Sequence, residues 1–235
     1  MLYFGIKTYA PVASFRIPET HTFQQTLPLP PITTLIGILG AAAGFSFQKA
    51  IGYFTENEIY FGVIGKHRGK TKDLWKYRKI KAGESVTAVL LKEYLIDLDM
   101  TIYIVCKDLT LAQEIRNYFL NPYYVLTAGN SDSLLKIKEV TNITEIDLRK
   151  LYEFENTVLP GDHAVNFESK IDLKTVPLMR EIYAPQVHLL PTMFDFKGDE
   201  RRVKNRQPFT FVDTPIRLKE PIFGFEENNK AVALL

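Results

Sequence analysis

Between residues 66 and 81 the chain reads KHRGKTKDLWKYRKIK, with eight Lys or Arg against the single acid Asp73. Trp75 and Tyr77 are interleaved with the cations. Cations follow phosphates and aromatic faces stack on bases at about 1–3 kcal/mol each. Lys66, His67, Arg68, Lys70, Lys72, Trp75 and Lys76 therefore form a candidate single-stranded nucleic-acid site. A solvated hairpin with snorkelling lysines would carry the same charges, but an aromatic amid so many cations has little core to join. Lys66 and His67 could also serve as electrostatic stabiliser and base for attack by an RNA 2′-OH, or simply belong to the basic patch.

Polar residues elsewhere fit the same chemistry. Arg16, in SFRIP, offers a planar guanidinium to a phosphate or base edge, or to a structural ion pair. Gln24, Gln25 and Thr26 carry amides and a hydroxyl suited to base edges, or to an ordinary polar surface. Thr33 and Thr34 are placed to cap a helix, whose start would attract an anion. In LTAGNSDSLLKI, the residues Gly129, Asn130, Ser131 and Asp132 read as a tight turn whose backbone N–H groups could cradle phosphate. The turn lacks the Lys-Ser/Thr signature of a nucleotide-binding loop. His21, His67, His163 and His188 have no metal-ligand spacing, so neither a structural metal nor another cofactor is expected. Asp97 and Asp99 alternate along a strand and read as a solvent face rather than an acid–base pair.

These residues need positioning elements. Leu2–Tyr9 has strand composition, and Pro11 is expected to end it. Residues 16–31 are too rich in proline for regular structure and read as an ordered loop. TTLIGILGAAAG predicts a helix ending at Gly44, with Gly37 and Gly40 presenting a bare face to a sheet or ligand. Glu58–Ile64 reads as a strand, the basic segment as an insertion, and Ser85–Cys106 as one long or bent strand. In 110–120, Leu111, Ile115 and Phe119 recur on one helical face, and Leu134–Val140 alternates as a strand. This order predicts an α+β fold: a βαββαβ ferredoxin-like domain over 1–150, with the basic segment at about 65–85 projecting as a β-hairpin. Residues 151–235, punctuated by Pro160, Pro177, Pro185, Pro191, Pro208, Pro215 and Pro221, read as a small β-rich C-terminal region.

Composition agrees with a folded chain, 46% hydrophobic and 24% charged over 235 residues. The net charge of +2 does not by itself announce nucleic acid. The basic segment 66–81 is therefore local, as is a second cluster at 197–206, KGDERRVKNR, whose role as RNA path or surface loop the residues leave open. The lone Cys106, in TIYIVC, excludes an internal disulfide and reads as a small buried hydrophobe. Met1 is followed at once by LYFGIKTY without a basic leader. The longest apolar run, 30–45, is short of the roughly 20 residues a spanning helix needs. The expectation is a cytoplasmic protein with no membrane partner.

The layout of Phe15-Arg16-x-Pro18, the prolines at 28, 30 and 31, and TTLIGILGAAAGF resembles the N-terminal signature of the Cas-five family of the RAMP superfamily. The likeness extends more loosely through 66–81 and AGNSDSLL. It implies a ferredoxin-like (RRM/RAMP) domain whose inserted hairpin is a thumb and whose 129–132 turn stands for the family's glycine-rich loop. The implied role is non-catalytic: a subunit of a type I CRISPR surveillance complex (Cascade), closest to subtype I-B. It would hold the crRNA 5′ handle beside a backbone subunit and a large subunit, and meet target DNA only within that complex. One branch, subtype I-C, cleaves precursor crRNA without metal, using Tyr, Lys and His. Lys66 and His67 are present here, but no tyrosine lies in 33–45 and the nearest is Tyr53, so that triad looks incomplete.

Overall fold

The structure, a computed structural model, describes residues 1–81, 83–171, 182–198 and 200–235. Ala82 of the expected hairpin, Pro177 of the C-terminal region and Asp199 of the second basic cluster lie outside the described residues.

The chain opens with β1 (Leu2–Ala13), continues through three two-residue strands β2 (Phe15–Arg16), β3 (Phe23–Gln24) and β4 (Thr26–Leu27), and then forms helices α1 (Ile32–Ala43) and α2 (Phe47–Glu56). β5 (Tyr60–Lys66), β6 (Gly69–Lys81) and β7 (Glu84–Cys106) lead to α3 (Leu109–Leu120) and β8 (Lys136–Val140). The remainder is all β: β9 (Thr144–Glu145), β10 (Arg149–Phe154), β11 (Thr157–Pro160), β12 (Phe167–Ser169), β13 (Gln186–Lys197), β14 (Glu200–Val212), β15 (Ile216–Glu227) and β16 (Lys230–Ala233).

The central sheet runs β13-β14-β11-β5-β7-β1-β8. Phe4, Ile6, Ile102 and Ile104 of its middle strands are buried with Leu35, Ile36 and Leu39 of α1 and Ile115 and Phe119 of α3. Side chains alternate across a strand, so Tyr3, Tyr103 and Val105 point the other way, onto Phe225 and Val232 of a second sheet, β10-β15-β12 with β16 on β15. Each such apolar side chain contributes roughly 1.5–3 kcal/mol on full burial. The α+β architecture is consistent with the ferredoxin-like superfamily. The expected boundary at residue 150 does not separate the sheets, because β11, β13 and β14 belong to the central one.

Several local expectations need correcting. β1 runs through Pro11, whose register position falls at Asp97 of β7, between the pairs Ala10↔Leu98 and Val12↔Ile96. Asp97 has φ 51, so the ladder is already irregular where proline lacks a donor. Thr33 and Thr34 do not cap α1. Pro31 occupies that position without a side-chain cap, and its carbonyl accepts from Thr34 N at 2.9 Å and Leu35 N at 3.1 Å. Gly44 ends the helix in the left-handed region, as read from the sequence. α2 was not anticipated; Ser46 caps it, and its Ala50 is what faces Gly40, in place of a sheet or ligand. α3 is capped by Asp108, whose carboxylate accepts from Leu111 N at 2.6 Å.

The basic segment is continuous with the central sheet. Pairing of β5 with β7, from Tyr60↔Val105 to Lys66↔Asp99, resumes in the same register from Gly69↔Ile96 to Lys81↔Glu84. The join at Arg68 and Asp97 holds an ion pair of 3.6 Å. The result is a long two-stranded ribbon. The described residues of the second basic cluster lie on the β13–β14 ribbon, where the Arg201 guanidinium is 4.9 Å from the Phe47 ring of α2 and 5.0 Å from Phe194.

Candidate nucleic-acid interface

The base of the β6–β7 ribbon is where separated stretches of sequence meet. Ser14, at the end of β1, donates its N–H to Ala128 O at 3.1 Å and its hydroxyl to Glu93 O at 2.9 Å. The turn that follows is closed by Ala128 N to Ser133 O at 2.7 Å and Ser133 N to Asn130 O at 3.1 Å. Gly129 has φ 94, a conformation L side chains rarely adopt, and it lies directly on the Ser14 carbonyl. Phe15 N donates to Thr26 Oγ1 at 2.8 Å, and Thr26 N to Glu93 Oε2 at 3.1 Å. The 16–31 loop is thus tied to the ribbon, and β3 adds a parallel pairing at Phe23↔Leu91 and Gln24↔Lys92.

Lys92 lies at the centre of this junction and was missed by sequence reasoning. Only 7% exposed, its Nζ sits 4.4 Å from the Trp75 ring and 5.1 Å from the Tyr94 ring. Burial holds its ammonium below the ordinary lysine value; Asp132 and Asp73 act against that shift and Arg16 reinforces it. The available signal was the charged pair Lys92-Glu93 inside the apolar frame of LLKEYL. Arg16 keeps an exposed guanidinium, steadied by Thr20 O through Nε at 3.3 Å and Nη2 at 3.0 Å. Asn130 Nδ2 is buried with no hydrogen-bond partner among the described residues. Trp75 Nε1 donates to Asp73 Oδ2 at 2.9 Å. The junction therefore gathers the exposed guanidinium of Arg16, the buried donors of Lys92 and Asn130, acceptors from Asp73 and Asp132, and the rings of Trp75 and Tyr94. With two cations and two carboxylates it is closer to a reader of polar edges than to a simple anion trap.

The interleaving of cations and aromatics is resolved by the strand period. Trp75 and Tyr77 share one ribbon face with Lys92 and Tyr94, while Lys70, Lys72, Lys76 and Arg78 occupy the other. A strand sends successive side chains to opposite faces, so of the stretch's cations with described side chains Lys79 is the one that shares the face of Trp75 and Tyr77, beside Lys92. Lys72 Nζ lies 5.0 Å from the Phe23 ring, and Lys76 stands farther out, opposite Val89.

The junction gathers Arg16, Trp75 and the 129–131 turn. Gln25 is near by sequence and exposed; its N–H donates to Thr20 Oγ1 at 3.2 Å. The other expected residues fall elsewhere. His67 and Lys70 line a small cavity with Pro28, Tyr183, Gln186 and Asp213. Lys66 ends β5, exposed. Arg68 is engaged by Asp97, and Thr33 and Thr34 lie within the first turn of α1. Among the described residues no group of three or more His, Cys, Asp or Glu is placed to hold a metal ion. No single described helix is long and apolar enough to cross a membrane; α1 and α2 could do so only as a pair, bent by 105°.

Comparison with known proteins places the chain in a family. The family model described as CRISPR-associated protein (Cas_Cas5) matches residues 5–189, and the chain belongs to that family. A search of the curated proteins gives no match. A CRISPR protein from Archaeoglobus fulgidus has a similar structure, with a TM-score of 0.58 at 11% identity over 99% of this chain and 98% of that one. A chain of a CRISPR RNA-guided surveillance complex gives 0.55 at 17% identity over 93% and 91%. One from a Type III-B Cmr-beta complex bound to cognate target RNA and AMPPnP gives 0.51 at 11% over 91% and 86%. At these identities the likeness concerns the fold.

Proposed function

We propose that the chain is a non-catalytic crRNA-binding subunit of a type I CRISPR surveillance complex, closest to subtype I-B, which caps the 5′ handle of the crRNA. The observation that carries this reading is the junction where Arg16, Lys92 and the Gly129–Ser131 turn converge, with the buried Asn130 amide left unpartnered. Single-stranded RNA is read through splayed bases that stack and offer their edges. The edge readers are Arg16, Lys92 and Asn130. The cationic face of the β6–β7 ribbon, the thumb in this reading, follows the phosphates. A backbone subunit and a large subunit flank the chain, and target DNA is met only in the assembled complex. Membership of the family and the shared fold support the class of complex; the handle contacts are this proposal's own.

The test is to mix the protein with labelled full-length repeat RNA, with and without EDTA, on native and denaturing gels. A shift with intact RNA is expected. One EDTA-resistant cut at the base of the repeat, lost in His67→Ala, would replace the binding role with an endoribonuclease.

A further inference from the structure

β8 closes one end of the central sheet order and pairs only with β1 among the described residues. The preceding chain begins to extend the sheet beyond it: Leu135 N donates to Leu126 O at 2.9 Å, and Thr127 bridges to Leu134. On the N-terminal side of Leu126 the chain peels away from the sheet. Between it and Lys136–Val140 lies a groove of about 600 Å³, walled by Tyr123, Tyr124 and Val125 and floored by Phe119, Leu120 and Ile137.

This wall is held in place. Tyr123 N donates to Ala42 O at 2.9 Å and Tyr124 N to Ala41 O at 3.1 Å. The Tyr123 ring lies so close to Gly44 that a Cβ there would come within 2.8 Å of its Cγ. Even so, Tyr123 is 71%, Tyr124 55% and Val125 76% exposed. Exposed apolar patches mark interaction sites, and an open strand edge is a template for another strand unless it is blunted. At the far end Arg116 closes the edge, with Nε donating to Thr141 O at 2.7 Å and Nη2 to Val140 O at 3.5 Å. Along the edge, Glu139 is taken by Lys7 at 2.8 Å and Lys138 by Asp99. The charge left over is positive, from Lys136 and Arg116. A second β8 would bring like charges together, whereas an acidic segment would not.

We propose that β8 accepts an extended segment of a partner protein, added as a strand between Lys136–Val140 and the Tyr123–Val125 wall. Its apolar side chains, at alternate positions, enter the groove, and its carboxylates face Lys136 and the Arg116 end. Strand addition of this kind takes affinity from main-chain hydrogen bonds and specificity from pockets for alternate side chains.

The test is hydrogen exchange on the full chain with two eight-residue probes at millimolar concentration, one alternating valine and glutamate, the other valine and lysine. The expected result is at least about fivefold slower exchange across 136–140 with the acidic probe only. Val125→Asp, at an exposed position, should abolish the protection and leave repeat-RNA binding unchanged on the same sample. No slowing, or equal slowing by both probes, would overturn the proposal. So would protection of 136–140 that rises with the concentration of the chain alone, which would make the occupant a second copy.

Discussion

Gly129→Ala puts the greatest strain on the junction for the smallest change in chemistry. The added Cβ would sit 2.8 Å from the Ser14 carbonyl carbon, closer still to its oxygen, and 3.2 Å from Phe15 Cδ1. The obstacle is backbone, so no side chain can swing aside. At φ 94 an alanine also carries backbone strain of about 1–3 kcal/mol. Relief requires the turn to lift from Ser14, which breaks the 3.1 Å bond from Ser14 N to Ala128 O, worth about 1 kcal/mol. The expected loss of unfolding free energy is therefore about 2–4 kcal/mol in a urea titration. Binding of repeat RNA, followed by anisotropy, should fall because Asn130 and Ser131 move with the turn. Gly69→Ala is the control: it lies at the base of the β6–β7 ribbon at a φ outside the left-handed region, and its Cβ would meet nothing within 4 Å. If Gly129→Ala is no less stable than Gly69→Ala, the packing of the turn on Ser14 is wrong.

Three further outcomes follow from the same geometry. Replacing Lys76 and Arg78 with glutamine should lower the slope of log K against log salt by about 1.4, roughly 0.7 for each phosphate of a single strand that is no longer neutralised; an unchanged slope would remove the ribbon's cationic face from the RNA path. Burial holds the His188 imidazole below its ordinary value of 6.5. The unfolded chain then takes the proton first, so stability is full above that value and falls as pH drops through it toward the folded value. Thermal midpoints at about pH 7.5 and 5.5 should therefore differ more in the wild type than in His188→Gln. Burial pushes the Cys106 thiol up to about 11, so it should resist a thiol reagent near neutral pH and react only after unfolding.

The parts of the fold that announce themselves locally were legible in the sequence. The four-residue spacing of Leu111, Ile115 and Phe119 marks α3, and Gly44 marks the end of α1. What was not legible depends on distant partners. Pro11 looks like a strand end until its opposite position proves to be the irregular Asp97. Pro191 and Pro208 look like breakers, yet Pro191 lies at a register shift on the β13–β14 ribbon and Pro208 pairs with Leu189. α2 did carry a local signal that was overlooked: behind the Ser46 cap, Phe47, Ala50, Ile51 and Phe54 recur at i, i+3, i+4 and i+7. The separation of Trp75 and Tyr77 from Lys70, Lys72 and Lys76 was present in the odd and even numbering of one strand. Lys92 was legible only as an anomaly, because nothing local says that Trp75, Tyr94, Arg16 and Asp132 gather around it.

The central claim is that this junction grips single-stranded RNA, and Lys92→Met tests it most directly. The substitution keeps the stem that packs on Trp75 and Tyr94 and removes the buried charge, so the free chain should melt no lower than the wild type. A hydrogen bond to a charged group is worth about 1.5–3 kcal/mol, so affinity for labelled repeat RNA should fall by about 10- to 100-fold. Binding within about twofold of the wild type, by a variant of undiminished thermal midpoint, would contradict the account.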